Sequence, residues 1–398
     1  MSTSANRSGD KSEFDVVVVG GGIHGCSVAL HLVKKGVSVL LLEKHTVGRH
    51  ASGVNAGGVR QLKRDFREIP LSMAAMDQWL NLESLLGSEL ARSCQFSGSV
   101  GQIAVALDDA GIDWCENRFQ EGARLGYDFE QLLTKRQVEE RVPNITPACR
   151  GGLTSPRDGH ANPARSTQAF RLRAEELGAV VKEQTKVTGL EDTGSGWVVA
   201  TTGGKFRANT VVNCAGAWAF EIAAHVGEVV PRENEPYSLM VTARLPKFVE
   251  PVVLGVGRTL SFKQTEAGTL VIGGGFLGIA NLEEGTAATV IDRMKGSANV
   301  VLEYFPSLRN VVIVRTWAGI EAVTPDYIPV IGPSLRAPRL WHAFGFSGHG
   351  FQLAPSVGAT LADYIVEGRS SFSLDAFSPA RFHLEQEEPM KESLKQTH

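Results

Sequence analysis

The amino-acid sequence predicts an α/β protein: a Rossmann-like dinucleotide-binding lobe interleaved with an α+β substrate lobe built on an antiparallel sheet. Three observations carry that expectation. Residues 14–44 read as strand, glycine turn, helix and strand; residues 231–275 hold short β-rich segments; and buried-strand texture returns at 210–218 and 340–346.

The first unit is the most specific. Val16, Val17, Val18 and Val19 lead into Gly20-x-Gly22-x-x-Gly25, then Cys26, Ala29, Leu30 and Val33 at helical spacing, then Gly36 and an apolar run ending in Glu43. Gly20 permits a tight turn, Gly22 lets the backbone approach a pyrophosphate, and Gly25 lets helix and strand pack closely. The helix start then offers unpaired N–H groups to the anion. Glu43 stands where a carboxylate accepts from a ribose diol and repels a 2′-phosphate. The same spacing at Gly273, Gly275 and Gly278 lacks the helix and the acid, and reads as a strand end or bend.

Residues 45–60 then form a Gly-, Ser- and Asn-rich loop suited to wrapping a cofactor. Residues 69–90 carry Leu71, Ala74, Ala75, Trp79, Leu82 and Leu86 at helical spacing, as a core helix does. Residues 98–107 read as a strand or hairpin, 112–126 and 134–141 as helices, and the Pro- and Gly-rich 143–163 as a connection between lobes. A helix follows over 163–177, with Pro163 in its first turn. Strands are expected within 180–190 and at 196–202, 204–207 and 210–218, then within 231–275. A helix spans 287–304, a strand and Pro-bounded loop 311–331, a strand 340–346, a turn 347–350 and a helix 351–366.

The expected dinucleotide lobe therefore comprises residues 14–91, 150–228 and 311–370, and the substrate lobe 92–149 and 229–310. A length of 398 residues accommodates both. The polar stretch 1–13 reads as a disordered leader and 382–398 as a flexible charged tail. A net charge of −3 without a basic stripe argues against nucleic acid. Five scattered cysteines (Cys26, Cys94, Cys115, Cys149, Cys214) without CxxC spacing argue against a disulfide framework, a metal site or a cluster held by this chain. No apolar stretch reaches the ~18 residues that span a bilayer. The expected location is the cytoplasm.

GGGIHG with Glu43, ASGVNAGG, VVNCAGAW, RTWAGIEAVTPDYIPVIGP and AFGFSGHGFQLAPSVGATLADYI together resemble the FAD-dependent D-amino-acid oxidase superfamily over residues 14–368. The texture is similar to glycine and sarcosine oxidases, D-amino-acid and hydroxyproline dehydrogenases and the flavin subunits of opine oxidases. The resemblance implies non-covalent FAD. It places Gly20, Gly22, Ile23, His24 and Gly25 at the pyrophosphate, and Glu43 and Lys44 at the adenosine ribose. Arg49, Ser52, Asn55, Ala56, Gly57 and Gly58 run toward the flavin, and the Val187 backbone meets adenine. Ala215, Gly216 and Trp218 line the cofactor again, and Gly348, His349, Gly350, Phe351 and Gln352 meet the flavin with a helix start.

Two departures stand out. Relatives with a covalent flavin carry histidine where this chain has Asn55, although His50 lies nearby. Glycine-oxidase-like members often have an arginine two residues after WAG, where this chain has Glu321. A carboxylate does not bind a carboxylate. Either Arg60, Arg258 or Arg315 holds the substrate acid, or Glu321 faces a cationic part of the substrate, or Glu321 is a peripheral acid.

The implied reaction is hydride removal from the carbon bearing an amine, giving an imine. The implied substrate is an amino acid or secondary amine of D-amino-acid, hydroxyproline, sarcosine or opine type. His349 is the candidate histidine beside the flavin, or a structural residue of the turn. Tyr237 and Lys263 are weaker candidates, Lys263 being either flavin-facing or an exposed strand lysine. Partner subunits carrying an iron–sulfur cluster are implied by several relatives. A 2-hydroxy-acid dehydrogenase and a non-catalytic flavin-binding assembly factor are the alternatives.

Overall fold

The structure, a computed structural model, describes residues 12–384. The expected leader lies outside the described residues up to residue 11, and the expected tail from residue 385. Within the described part, Glu13 already belongs to a strand, and Phe382 is buried against Ala219, Val330 and Phe344.

Strand β1 (Glu13–Val19), helix α1 (Ile23–Lys34) and β2 (Val39–Leu42) form as expected. Cys26, Val28, Ala29, Leu30 and Leu32 are all fully buried, because α1 is apolar all round and lies between the sheet and two other helices. Gly36, at φ +81°, closes it: its N–H and that of Val37 reach back to the carbonyls of Val33 and Leu32. The wrapping loop contains α2 (Ala51–Val54) and β3 (Gly58–Val59).

The single helix expected over 69–90 is three: α3 (Ile69–Leu80), α4 (Leu82–Leu86) and α5 (Ser88–Ser93), interrupted at Asn81 and at Gly87, whose φ is +81°. β4 (Gln102–Ala106), α6 (Asp109–Arg124), β5 (Gln131–Thr134) and α7 (Lys135–Arg141) follow. Thr134 and Gln137 make a reciprocal capping box at the start of α7. The stretch read as a connection contains β6 (Gly151–Ser155) and β7 (Gly159–His160). α8 (Pro163–Glu176) starts from the Asn162 side chain, which accepts the Arg165 N–H.

β8 (Val180–Lys182), β9 (Val187–Asp192) and β10 (Trp197–Thr201) lead to β11 (Gly204–Asn213), one long strand where two were expected. After α9 (Ala219–Ala224) come β12 (Glu233–Thr242), β13 (Val252–Gly255), β14 (Ser261–Gln264) and β15 (Leu270–Gly273). The later glycine triplet ends β15, with Gly274 at φ +129° and Gly275 at φ +101°. A hairpin, β16 (Ile279–Asn281) and β17 (Thr286–Ala288), delays α10 to Ile291–Tyr304. β18 (Ile313–Val323), β19 (Val330–Pro333), β20 (Leu340–Phe344), α11 (Ala354–Glu367) and α12 (Arg381–Leu384) complete the described chain.

One eight-stranded sheet has the order β19-β20-β11-β1-β2-β8, with β10 and β9 added at β11. β1 runs parallel to β2 and β11, and β11 parallel to β20, as in a doubly wound lobe. The second sheet has the order β18-β12-β15-β14-β13-β4-β6-β5. It is antiparallel except for β13 and β4, which pair in parallel. β6 and β18, placed with the dinucleotide lobe in the sequence reading, pair in this second sheet. Among the described residues no helix is long and apolar enough to cross a membrane.

Candidate active site

A cavity of about 450 Å³ runs from the carboxyl ends of β1, β2 and β11 to the inner face of the second sheet. That end of an open parallel sheet is where such folds bind ligands. The glycines explain the cradle there. A Cβ on Gly20, at φ +106°, would come within 2.8 Å of the Cys214 backbone, and one on Gly25 would collide with the Gly20 carbonyl oxygen. A Cβ on Gly22 would meet Ser52 Oγ at 3.0 Å. The start of α1 has no acidic residue in its first turn and no side-chain cap at Gly22. Its positive end is left for an anion.

Glu43 lines the cavity, its two carboxylate oxygens accepting from Gly21 N at 2.7 Å and His45 N at 2.8 Å. Burial raises the affinity of this carboxyl for its proton, and the two N–H groups work against that. Lys44 also lines it, but its ammonium lies 3.1 Å from the centroid of the Trp218 ring, and burial pulls its pKa down to about 8. The His50 ring also packs against Trp218, 4.5 Å between centroids, and is bonded to His45 at 2.9 Å. Asn55 is held locally: its amide donates to the carbonyls of Ala51 and Ser52 and accepts from Gly57 N. Arg49, Ala56, Gly57, Gly58, Val187, Ala215 and Gly216 line the cavity too.

The residues present fit an extended dinucleotide: a helix start without an acidic residue, where the Ser52 hydroxyl accepts from Ile23 N at 2.9 Å, for the pyrophosphate, an acid at the end of β2, and backbone at Val187 beyond it. FAD would be held there by Gly20, Gly22, Ile23, Glu43 and Val187. Gln352 does not join them. Its side chain turns toward α3, bonding Ser72 twice, while its carbonyl accepts from Trp79 Nε1 at 2.8 Å. It anchors the turn instead of lining the cavity. The helix after that turn starts at Ala354, later than expected, because Leu353 N still closes a turn on Gly350 O.

At the other end stand Arg60, Lys63, Arg64, Glu68, Tyr237, Lys263, Glu321, Asp326, Tyr327 and His349. Arg64 is buried and bonds Glu68 at 3.3 Å, His349 Nδ1 at 3.2 Å and the His349 carbonyl at 2.9 Å. Burial works to raise the Glu68 carboxyl, but the charges of His349 and Arg64 outweigh it and hold it below its ordinary value. His349 is thus positioned from behind by an ion pair that sequence reasoning missed. The only local signal for it is the spacing of Arg64 and Glu68, four apart.

The candidate cations for the substrate acid separate cleanly. Arg258 pairs with Asp108 and Glu303, both at 3.2 Å. Arg315 is exposed and outside this cavity. Arg60 is half-buried, donates to the Leu62 carbonyl at 2.6 Å and, among the described residues, forms no salt bridge. Lys263 is no exposed strand lysine. It is 6% exposed, its ammonium lies 3.4 Å from the Ala161 carbonyl, and burial lowers its pKa to about 8.

A glycine-cradled dinucleotide site that continues, at the other end of the same cavity, into a charged chamber defines an oxidoreductase that carries its own redox cofactor. The family model described as "FAD dependent oxidoreductase" matches residues 15–364, and the chain belongs to that DAO family. It is 29% identical to glycine oxidase of Geobacillus kaustophilus, over 92% of this chain and 97% of the relative. It is also 29% identical to the sarcosine oxidase subunit beta of an Arthrobacter species, over 94% and 92%. Among solved structures, L-proline dehydrogenase from P. horikoshii superposes with a TM-score of 0.86 at 27% identity, over 94% of this chain and 99% of that one. The chain is an FAD-dependent enzyme of the amine- and amino-acid-oxidising type.

Proposed function

We propose that the enzyme oxidises the C–N bond of a small amino acid or secondary amine to an imine, with the substrate carboxylate on Arg60 and the amine toward Glu321. The observation that carries this reading is the half-buried Arg60 guanidinium, without an ion pair among the described residues, in the cavity that also holds the dinucleotide cradle. FAD, when bound, supplies the hydride acceptor. The chain's own task is to bind the acid at Arg60, hold the amine against Glu321 and the Gly348–His349 turn, and keep water out with Tyr237 and Tyr327.

The deciding test is a visible spectrum of the purified protein before and after anaerobic addition of D-amino acids, cyclic imino acids, N-methyl amino acids, opines and 2-hydroxy acids. Bleaching by one of the amines supports the reading and names the substrate. Bleaching only by hydroxy acids overturns it in favour of a hydroxy-acid dehydrogenase.

Lys263 would present a positive charge to the oxidant. Its replacement by methionine is expected to slow oxygen consumption roughly 10- to 100-fold, the scale of losing one preorganised charge, while leaving dye-coupled turnover intact. In the unaltered enzyme the same activity should fall as pH rises through about 8, where the lysine loses its charge.

The proposed setting is the cytoplasm, beside partner subunits that carry an iron–sulfur cluster. The likeness to a sarcosine oxidase subunit beta supports such an assembly. Iron and acid-labile sulfide co-purifying with the native protein would bear it out, and their absence from an active native complex would count against it.

A further inference from the structure

We propose that Glu321 is the proton acceptor of the reaction, taking a proton from the substrate's ammonium nitrogen so that the amine reaches the hydride step in its neutral form. The inference rests on the amine-oxidising reading above.

The geometry is that of an acid without a counterion. Glu321 sits on β18 directly across from Glu235 on β12, so the two carboxylates share one face of the sheet. Tyr237, two residues along β12 from Glu235, opposes Gly319 on that face, and the Glu235 carboxylate beside it adds to burial in raising the phenol's pKa. Among the described residues no lysine, arginine or histidine forms a salt bridge with Glu321. From the turn beyond β20, the Gly348 N–H faces its carboxylate, while the His349 ring is turned to Arg64 and Glu68. Asp326, farther along, is taken by Arg67 and Arg381. The titratable groups facing Glu321 are thus Glu235 and Tyr237.

Burial raises the Glu321 pKa to about 7; the Gly348 N–H opposes that rise and the neighbouring Glu235 charge adds to it. An aliphatic amine with a pKa near 10 is neutral in only about one molecule in a thousand at pH 7. A carboxylate poised near neutrality can take the proton and still be regenerated by solvent. In the step, one N–H bond of the ammonium breaks, an O–H bond forms on Glu321 and the electron pair stays on nitrogen. No oxidant or co-reactant is consumed.

The test is Glu321→Gln, which keeps shape and removes the acceptor. With flavin content and Tm unchanged, flavin bleaching by sarcosine or L-proline at about pH 7 is expected to slow about 100-fold. It should then recover tenfold per pH unit as the free amine becomes available, whereas the unaltered enzyme levels off above about pH 7. Glu235→Gln should move the acid limb of the unaltered profile to lower pH.

A readout independent of turnover is calorimetry of sarcosine or L-proline binding to dithionite-reduced holoenzyme in two buffers of different ionisation enthalpy. The unaltered protein should release about one proton near pH 6, where Glu321 is already protonated, and about none near pH 8.5; Glu321→Gln should lose that dependence. A variant with the unaltered pH profile and proton count overturns the inference. So does glycine betaine, which has no proton to give, binding as tightly as sarcosine and weakening equally in Glu321→Gln, because Glu321 would then only bind cations. An unaltered enzyme that no amine bleaches overturns the functional reading and this inference together; one that bleaches alongside an unaffected variant overturns the inference alone.

Discussion

Gly25→Ala is expected to give folded protein that purifies without flavin colour and takes up little added FAD. Gly25 is the third residue of α1, and a methyl group there would lie on the Gly20 carbonyl oxygen. The helix has nowhere to retreat. On its other side α11 crosses it backbone to backbone, where a Cβ on Gly358 would come within 2.7 Å of the Ser27 carbonyl carbon. Overpacking of this kind costs about 1–3 kcal/mol, and here the strain falls on the turn that presents N–H groups to the pyrophosphate. Gly36→Ala is the control. It sits at φ +81° with nothing within 4 Å of the added carbon, so it should lose about 1 kcal/mol of stability from strain and retain full flavin. Flavin-to-protein ratio and Tm measured on both variants decide the matter. Full flavin in Gly25→Ala would mean that the dinucleotide binds elsewhere.

The second large effect concerns Arg60. Arg60→Met keeps an unbranched apolar stem and removes the charge. It is expected to lower kcat/KM for the carboxylate-bearing substrate by about 2–5 kcal/mol, tens- to thousands-fold, because a desolvated carboxylate is left unpaired. The loss should fall mainly on KM. Turnover of the same amine lacking its carboxylate, slow as it is, should hardly change. Equal losses for both compounds would show that Arg60 matters through its bond to the Leu62 carbonyl and not through substrate.

The dinucleotide cradle was legible in the sequence because its physics is local. The motif is written in one strand, one turn and one helix: Gly25 is needed by its contact with the Gly20 carbonyl, Gly20 by its positive φ, and Glu43 follows at the end of the next strand. Gly20 and Gly22 also face Cys214 and Ser52 from farther along the chain. Elsewhere distant partners decided. β6 lies in a Pro- and Gly-rich stretch and is a strand only because β4 and β5 flank it. Lys263 alternates with the buried Phe262, so a two-residue period sends it to the other face of β14. That face is the cavity, not solvent, which no local pattern could tell. The ion pair of Arg64 and Glu68 was hidden for the same reason: charge runs read as surface until something covers them.

The order in which the dinucleotide sheet closes bears on how the protein is made. β1 is flanked by β2 and by β11, which begins at residue 204, and β11 in turn awaits β20 at residue 340. At roughly 5–20 residues per second, a ribosome needs about 10–40 s between finishing β1 and finishing β11. Through that interval a valine-rich strand edge is unpaired, a template for pairing with a neighbouring chain. The apolar flank of α1 stays uncovered longer still, until α11, which begins at residue 354, has emerged. Yield in a host cell should therefore depend on nascent-chain chaperoning and respond to lower growth temperature, even for variants whose finished fold is as stable as the natural one.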